Sequence, residues 1–130
     1  MNPSNRKPHD ASAASEMLYQ GRWLSLRRRG HWEYAERNNP GGAVIILAVT
    51  PDDNILFVEQ YRVAVQKFTI EMPAGLVGDL AGSESENIVV HEVPRKDAAA
   101  WLLARSADGY SIDPKLFAGL WFIEHAELFD

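Results

Sequence analysis

Several kinds of residue and segment are missing from this 130-residue sequence, and each absence narrows its function. There is no cysteine, which excludes disulfides, thiolate metal sites and a cysteine nucleophile. There is no long hydrophobic run, since the longest, residues 43–49, is far too short to cross a membrane. There is no excess of basic residues, and the net charge of −5 argues against a binder of nucleic-acid backbones.

The composition is that of one globular domain with a real core. Apolar residues make up 46% of the chain and four residues are tryptophan, while charged residues are an ordinary 24%. The first fifteen residues are polar and contain no apolar stretch of the kind a signal peptide needs. Together with the lack of cysteine, this predicts a protein of the cytoplasm that contacts no membrane.

The amino-terminal third is expected to hold a tail and a β-hairpin. Residues 1–17 are predicted to be a disordered tail, residues 18–40 a hairpin and residues 41–130 the main domain. In the hairpin, Trp23 is expected to point inward with Leu24 or Leu26, and Gly30 to form the turn. The basic run at residues 27–29 is interpreted as a solvated strand edge.

The main domain is predicted to contain four strands. Ala43–Val49 is almost entirely apolar, which predicts a strand buried on both faces. Ile55–Arg62 is expected to return antiparallel to it, forming a hairpin. Lys67–Met72 is a further predicted strand, stopped by proline, and Val89–Val93 is a short one.

Two helices are predicted to close the chain. Pro94 can begin the first, which fills residues 97–107 and ends at Gly109. Asp113 and the proline after it begin the second, which runs to about Leu128. Apolar residues cover most of the circumference of this last helix, so we expect it to be deeply packed or to lie at a subunit interface.

The stretch from Phe57 to Asp79 carries the most informative pattern. It holds the tetrad Glu59-Gln60-Tyr61-Arg62 and then the sharp turn Glu71-Met72-Pro73-Ala74-Gly75. In this order the two motifs resemble Nudix hydrolases of the ADP-ribose pyrophosphatase type. The resemblance implies an α/β (α+β) fold with a mixed sheet and carboxy-terminal helices. It also implies magnesium-dependent cleavage of the phosphoanhydride of ADP-ribose or a related nucleoside diphosphate sugar.

The catalytic helix of that family has no counterpart in the sequence. The family pattern places glutamates at helical spacing after its glycine, so that several carboxylates gather round the metal. Counting from Gly75, Ala81 occupies the first glutamate position and Val89-Val90 the Arg-Glu position. We therefore expect an internally truncated α/β/α sandwich with weak magnesium binding and lost or weak activity. Ile70, Met72 and Leu76 should lie exposed where the helix is missing.

The same resemblance implies roles for residues beside the gap. Ala74 would offer its backbone carbonyl to the metal, and Arg62 would contact the substrate's phosphates. In the loop before the short strand, Glu86, or second to it Glu84, would be the general base, with Glu86 also a metal ligand. The alternative for Arg62 is a surface ion pair. The alternatives for Glu84 and Glu86 are that they are simply solvated, or that their stretch is the start of the lost helix.

A base-binding role is implied for the amino-terminal strands. Trp32 would stack on adenine while Glu33 holds its amino group, and Trp23 would sandwich the base from the other side. Arg37 would be a further substrate contact. A tryptophan on a strand is also typical of a core or dimer interface. Both interpretations are compatible in this family, whose base site lies at the interface of a homodimer with exchanged amino-terminal domains.

Three hypotheses for function stay open on the sequence alone. The first is an ADP-ribose-type pyrophosphatase by descent, with its reaction disabled or much reduced. The second is a non-catalytic nucleotide-sugar-binding or dimerisation module. The third is a shortened gene product with no selected function.

Overall fold

The computed structural model describes residues 7–38, 41–76 and 87–128. The chain divides into an amino-terminal unit, Met1–Gly41, and a carboxy-terminal unit, Gly42–Asp130. The predicted mixed α+β class with two carboxy-terminal helices is confirmed. No helix among the described residues is long and apolar enough to span a membrane.

The amino-terminal unit is a three-stranded antiparallel sheet. Its strands are β1 (Ser15–Gln20), β2 (Leu24–Arg29) and β3 (Trp32–Arg37), with β2 in the middle. The predicted β2–β3 hairpin is confirmed, and Gly30 makes its turn with a φ of 58° that favours glycine. Strand β1 begins inside the stretch predicted as a tail, because its mixed polar and apolar residues carry no strong strand pattern.

Two expectations for this hairpin are wrong. The basic run at residues 27–29 lies on the middle strand, so its prediction as a sheet edge is wrong. The buried residue is Ser25, which is 2% exposed, whereas Trp23 is 68% exposed and Leu24 is 50% exposed. Ser25 is held inside because its hydroxyl bonds to Asn38, whose side-chain amide donates to the carbonyl of Gly21.

The carboxy-terminal unit contains a four-stranded sheet and a two-stranded one. The larger has the order β8-β5-β6-β9, and its strands are β5 (Asn54–Arg62), β6 (Lys67–Glu71), β8 (Val89–Pro94) and β9 (Ser111–Ile112). Only the β6–β9 pair is parallel. The smaller sheet pairs β4 (Ala43–Ile45) with β7 (Ala74–Leu76), antiparallel.

The prediction for Ala43–Val49 is wrong in length and in burial. Strand β4 covers only its first three residues, and all three are exposed, because no described element lies over them. The predicted hairpin with β5 is reduced to contacts beside the turn. These are a bridge between Val49 and Ile55 and a hydrogen bond from the amide of Leu56 to the carbonyl of Ala48.

Both predicted helices form. Helix α1 (Ala98–Ala107) follows a 3₁₀ turn at Arg95–Asp97, and Gly109 terminates it with a φ of 95°. Helix α2 (Lys115–Glu124) is followed by a second 3₁₀ turn, so it ends earlier than predicted. The side chain of Asp113 accepts a hydrogen bond of 3.0 Å from the amide of Lys115, as expected of a residue that begins a helix.

The core lies between one face of the larger sheet and the two helices. Its fully buried members are Ile55, Phe57, Ile70, Ala98, Leu102 and Leu116. The predicted exposure of Ile70 and Met72 is therefore wrong: they are 0% and 7% exposed. Helix α2 comes close enough for Gly119 to lie against the Met72 side chain, so this helix covers them. Leu76 is exposed, as predicted.

The opposite face of the larger sheet is covered in its middle, where Gln60 and Thr69 are 8% and 7% exposed, and open at its β8 edge. Side chains alternate along a strand, so this face carries Val58, Gln60 and Arg62 of β5 together with Thr69 and Glu71 of β6. Val90 of β8 lies on the same face and is 60% exposed. No described helix of the carboxy-terminal unit has its buried residues on this side.

Candidate functional site

The predicted base-binding residues lie on the amino-terminal sheet, but not on one face of it. Trp32 and Glu33 are consecutive in β3, and consecutive residues of a strand point to opposite faces. The indole and the carboxylate therefore cannot close on one base from the same side. The roles of Trp32 as a stacking platform and of Glu33 as the acceptor for the amino group stay predictions.

Glu33 and Arg37 do share a face. They are four residues apart in β3, about 14 Å at the rise of a strand. Arg28 lies opposite Glu33 in the register, and its guanidinium is 2.8 Å from Glu16. The hydrogen bond to Glu16 raises the pKa of Arg28, with a smaller contribution from Glu33. This face thus carries acidic groups at Glu16 and Glu33 and basic groups at Arg28 and Arg37.

The two tryptophans lie at opposite ends of the hairpin. Trp32 pairs with Arg29 beside the turn, while the carbonyl of Trp23 accepts a hydrogen bond of 3.0 Å from the amide of Asn38 beyond the end of β3. Along the strand direction, Trp32 and the position of Trp23 are six residues apart, a backbone distance of about 20 Å. Stacked rings have centroids about 4.5–7 Å apart, so a base between two indoles holds them at most about 14 Å apart. The backbones of the two tryptophans are thus farther apart than two rings that enclose a base, so both side chains would have to lean toward each other to share one.

Both indoles are nevertheless available for stacking. Trp23 is 68% exposed and Trp32 is 59% exposed. The guanidinium of Arg22 lies 4.7 Å from the centre of the Trp23 ring, and the His31 ring lies 5.1 Å from that of Trp32. Each indole is thus flanked by a cationic or aromatic neighbour that limits its motion without covering it.

The carboxy-terminal unit holds a polar cluster on the face of its larger sheet that points away from the two helices. Arg62 donates two hydrogen bonds to Glu71, from Nε over 2.7 Å and from Nη2 over 2.5 Å. The Thr69 hydroxyl lies 2.7 Å from the same carboxylate and 3.2 Å from the carbonyl of Gln60. The hydrogen bonds from Arg62 are the main reason why the pKa of Glu71 lies below its ordinary value; the bond from Thr69 adds to this, and burial opposes it.

Sequence reasoning singled out Arg62 but assigned no role to Glu71. The signal was present, because Glu71 and Thr69 are two residues apart on β6 and Arg62 and Gln60 two apart on the neighbouring strand. A hairpin pairing of these strands puts all four on one face. What the structure adds is the geometry: the guanidinium fork is fixed by a two-point contact with a largely buried carboxylate.

The predicted metal ligand Ala74 lies in β7, where it pairs with Ile45 and is exposed. The carboxylate three residues before it, Glu71, is engaged by Arg62. Within residues 7–38, 41–76 and 87–128 no three His, Asp or Glu side chains are grouped to hold a metal. These described residues therefore do not fit a magnesium site.

Glu84 and Glu86 lie outside the described residues. Their predicted roles as general base, and of Glu86 as a metal ligand, stay predictions. The weak magnesium binding expected of Ala74 and Glu86 likewise stays a prediction. The junction where the missing helix was expected, residues 77–86, falls in the same undescribed stretch.

A second polar contact involves Glu59 of the tetrad. Its carboxylate lies 2.8 Å from Nε2 of His91 on the neighbouring strand, on the helix-covered face of the sheet. The His91 ring packs 5.0 Å from that of Trp101, which in turn stacks on Phe57 at 5.5 Å. This pair thus ties β5, β8 and α1 together, which is a structural role for both residues.

The chain is similar to two curated proteins, and no family model matches it. Against an uncharacterised Nudix hydrolase of Schizosaccharomyces pombe it is 32% identical over 100 residues, covering 65% of this chain and 49% of the relative. Against a methanol dehydrogenase activator of Bacillus methanolicus it is 33% identical over 67 residues, covering 47% and 36%. The chain thus spans about half the length of the first relative and about a third of the second. The first similarity supports the Nudix resemblance at the level of the family.

Proposed function

We propose that this chain is a Nudix-type protein that binds ADP-ribose or a related nucleoside diphosphate sugar and hydrolyses it slowly or not at all. The family part of the proposal rests on the similarity to a Nudix hydrolase and on the order of the two motifs around Arg62 and Gly75. The loss of hydrolysis rests on one observation: the described carboxylate nearest in sequence to Ala74, Glu71, is already engaged by Arg62.

Binding is supported in each unit separately by groups whose chemistry suits one part of such a ligand. Exposed indoles are platforms for a base, and the Glu33 carboxylate can accept hydrogen bonds from an amino group. Two hydrogen bonds to Glu71 fix the orientation of the Arg62 guanidinium, so it would meet a phosphate through donors other than those two. Arg37 supplies a further positive charge on the face that carries Glu33.

Hydrolysis requires more than these groups. Cleaving a phosphoanhydride at a useful rate needs charge neutralisation on the phosphates and a group that activates water. The described residues offer arginine for the first but no clustered acids for the second. The helix that carries those acids in the family is missing in our interpretation of residues 75–90. We therefore expect retained binding with turnover that is very slow.

We also propose that the base site is completed by a second copy of the chain. The backbones of Trp23 and Trp32 lie about 20 Å apart along the strands, so one sheet offers both to a base only if the side chains lean together, whereas two copies can each supply one indole. A three-stranded sheet with exposed apolar side chains on both faces also gains stability by association. A homodimer satisfies both requirements, with one indole from each protomer.

The alternative is a non-catalytic nucleotide-sugar-binding or dimerisation module. The exposure of Trp23, Trp32, Leu24 and Leu26 favours an interface of some kind, even if no nucleotide binds there. In that case the arginines would serve only as structural ion pairs. Binding experiments separate the two possibilities.

The test is a calorimetric titration of ADP-ribose into the protein and into three variants. We expect Trp32→Ala and Arg37→Gln each to weaken binding about tenfold, the cost of losing one stacking platform or one phosphate contact. The matched control is Leu103→Ala, which truncates an apolar side chain of similar exposure, 62%, in helix α1. This control should bind as the unchanged protein does.

Equal affinity of Trp32→Ala and Leu103→Ala would contradict a base site at Trp32. No detectable binding of ADP-ribose by the unchanged protein would contradict the proposal as a whole and favour the dimerisation module. Sedimentation of the same samples checks whether Trp32→Ala has also altered association, and the two readouts together distinguish a ligand contact from an interface contact.

A further inference from the structure

The turn between β2 and β3 is held by a segment that precedes the amino-terminal sheet. Residues 8–13 fold into two successive turns, closed by backbone hydrogen bonds of 3.0 Å to the carbonyls of Pro8 and Asp10. From these turns the Asp10 side chain reaches the hairpin turn at Gly30 and His31. We call residues 8–13 the clamp segment.

The Asp10 carboxylate engages His31 twice through the same oxygen. Its Oδ2 lies 2.5 Å from Nδ1 of the imidazole and accepts a hydrogen bond of 3.3 Å from the His31 amide. A methyl group at Gly30 would overlap this carboxylate, so the contact also needs the glycine of the turn. Burial alone would raise the pKa of Asp10, but the amide and the imidazole of His31 bring this pKa below its ordinary value. The carboxylate is therefore ionised near neutral pH.

The position of Asp10 is costly for the fold. Its side chain is 9% exposed, and its second oxygen, Oδ1, is buried without a hydrogen-bond partner among the residues that the structure describes. A buried acceptor that is left unpaired destabilises a protein, which indicates a role for Asp10 other than stability. His31 is 67% exposed, so the contact with Asp10 fixes an imidazole that solvent would otherwise leave mobile.

The clamp segment restrains two neighbours of Trp32. The His31 ring lies 5.1 Å from the Trp32 ring, at an interplanar angle of 38°. Arg29 is directly opposite Trp32 in the hairpin register, so their two side chains leave the sheet on the same face. The Arg29 guanidinium donates a hydrogen bond of 2.8 Å to the carbonyl of Ala13 in the clamp segment. One segment thus holds both the residue before the indole and the residue across the hairpin from it.

We propose that Asp10 is a positioning residue of the base site, and that through His31 it presets the Trp32 indole in the orientation that receives a base. This inference rests on the proposed function, which assigns base stacking to Trp32. A side chain that is already ordered loses less conformational entropy when a ligand stacks on it, so the clamp segment raises affinity without touching the ligand. Trp32 is still 59% exposed, which leaves the indole accessible to the base.

The first test examines the Trp32 indole without any ligand, by nitrogen-15 relaxation of its Nε1–H group. We expect a rigid indole in the unchanged protein and an order parameter below about 0.6 in Asp10→Ala, because His31 is then released. His31→Phe, which keeps a ring beside Trp32 but cannot donate from that ring to Asp10, should give the same fall. The matched control is Glu36→Ala, which removes a carboxylate paired with Arg27 in the same sheet and should change nothing.

The second test measures the affinity of the same variants for ADP-ribose. Asp10→Ala should weaken binding about threefold to tenfold, the cost of ordering one freed side chain on association. Asp10→Asn can keep an acceptor oxygen in the place of Oδ2, so it should bind within about twofold of the unchanged protein. The effect of Asp10→Ala should disappear in a His31→Phe background, because Asp10 acts through His31. A loss caused only by loosening of the clamp segment would persist in that background.

Two results would overturn the proposal. They are an indole order parameter in Asp10→Ala equal to that in Glu36→Ala, and a loss of affinity in Asp10→Ala that persists in the His31→Phe background. Failure of the proposed function has a different signature, because the unchanged protein then binds no ADP-ribose while the relaxation of the indole still separates Asp10→Ala from Glu36→Ala. Should Asp10→Ala fail to fold, the same relaxation measurement on His31→Phe and Glu36→Ala decides.

Discussion

The Arg62–Glu71 pair allows one stability prediction to be worked out in detail. In the Glu71→Gln variant one carboxylate oxygen is replaced by an amide NH₂ that faces the donors of Arg62. Glu71 now accepts two hydrogen bonds from Arg62 and one from Thr69. A glutamine can keep the hydrogen bonds that its remaining side-chain oxygen accepts. It must lose at least one hydrogen bond from Arg62, and it also loses the negative charge of the carboxylate.

The expected cost follows from the burial of the two partners. A hydrogen bond to a charged group contributes roughly 1.5–3 kcal/mol, and leaving a buried partner unsatisfied costs a similar amount. The Glu71 side chain is 16% exposed but that of Arg62 is 43% exposed, so solvent screens the pair. We therefore expect Glu71→Gln to lower the free energy of unfolding by about 1–2 kcal/mol at neutral pH.

This cost should depend on pH with a defined sign. The folded pKa of Glu71 lies below its ordinary value of 4.5, so the folded state favours the ionised carboxylate. The stabilisation is complete above the unfolded pKa and is lost as the pH falls through that value toward the lower folded pKa. The cost of Glu71→Gln should accordingly be largest near neutral pH and shrink steadily as the solution is acidified.

The assay is urea unfolding over a range of pH, with Arg62→Met and the double variant completing a cycle. We expect a coupling energy of about 1 kcal/mol at neutral pH. Glu92→Gln is the matched control, because that exposed carboxylate accepts a single uncharged hydrogen bond, of 3.0 Å from Asn54, within the described part of the chain; it should cost less than about 0.5 kcal/mol. A Glu71→Gln cost that stays constant with pH, or a coupling energy indistinguishable from zero, would refute the reasoning.

Three further predictions concern the metal, the hairpin turn and the core. Calorimetric titration with magnesium should show only very weak binding to the site that includes Ala74, and micromolar affinity would contradict this. Gly30→Ala and Gly109→Ala should each lower the free energy of unfolding by about 1 kcal/mol, because alanine is strained at a positive φ. Gly30→Ala should cost more, since its new methyl group collides with Asp10. Faster amide hydrogen exchange in β2 and β3 would show this extra cost. Met72→Ala should lower the free energy of unfolding by about 2–4 kcal/mol in urea, and a cost below about 1 kcal/mol would mean that the contact with α2 is loose.

Strong local signals in the sequence were sufficient for much of the fold. Proline and glycine at Pro94, Gly109 and Pro114 limit where the chain can begin or end a helix, so α1 and the start of α2 were predicted close to their observed bounds, whereas α2 ends before the predicted Leu128. Strand β5 was predicted for a similar reason, since its apolar run at residues 55–58 lies between a turn and a polar tetrad. These signals act within a few residues and need no knowledge of distant contacts.

Burial was predicted less well because it depends on what covers a surface. The residues of Ala43–Val49 are apolar enough for a strand buried on both faces, yet β4 is short and exposed. Met72 and Ile70 were expected to be exposed for want of a helix, but α2 covers them from far along the chain. The hydrophobicity of a side chain shows that it favours burial, but which element buries it depends on contacts between distant parts of the chain.

In the candidate site, too, local sequence rules predict some features, and others depend on tertiary contacts. The alternation of side chains along a strand is enough to separate Trp32 from Glu33, and applied to the β5–β6 hairpin it also places Glu71 on the face of Arg62. The 20 Å separation of Trp23 and Trp32 follows from the hairpin register, which in turn depends on a two-residue turn at Gly30. The engagement of Arg62 by Glu71 does not follow from alternation, because either side chain could have turned to solvent.

The most direct test of retained binding without hydrolysis is a phosphorus NMR spectrum of the protein with ADP-ribose and magnesium, recorded over hours. We predict that the two diphosphate signals shift on binding and then persist at constant total intensity. Their replacement by the monophosphate signals of AMP and ribose 5-phosphate, at a rate that rises with protein concentration, would contradict the proposal.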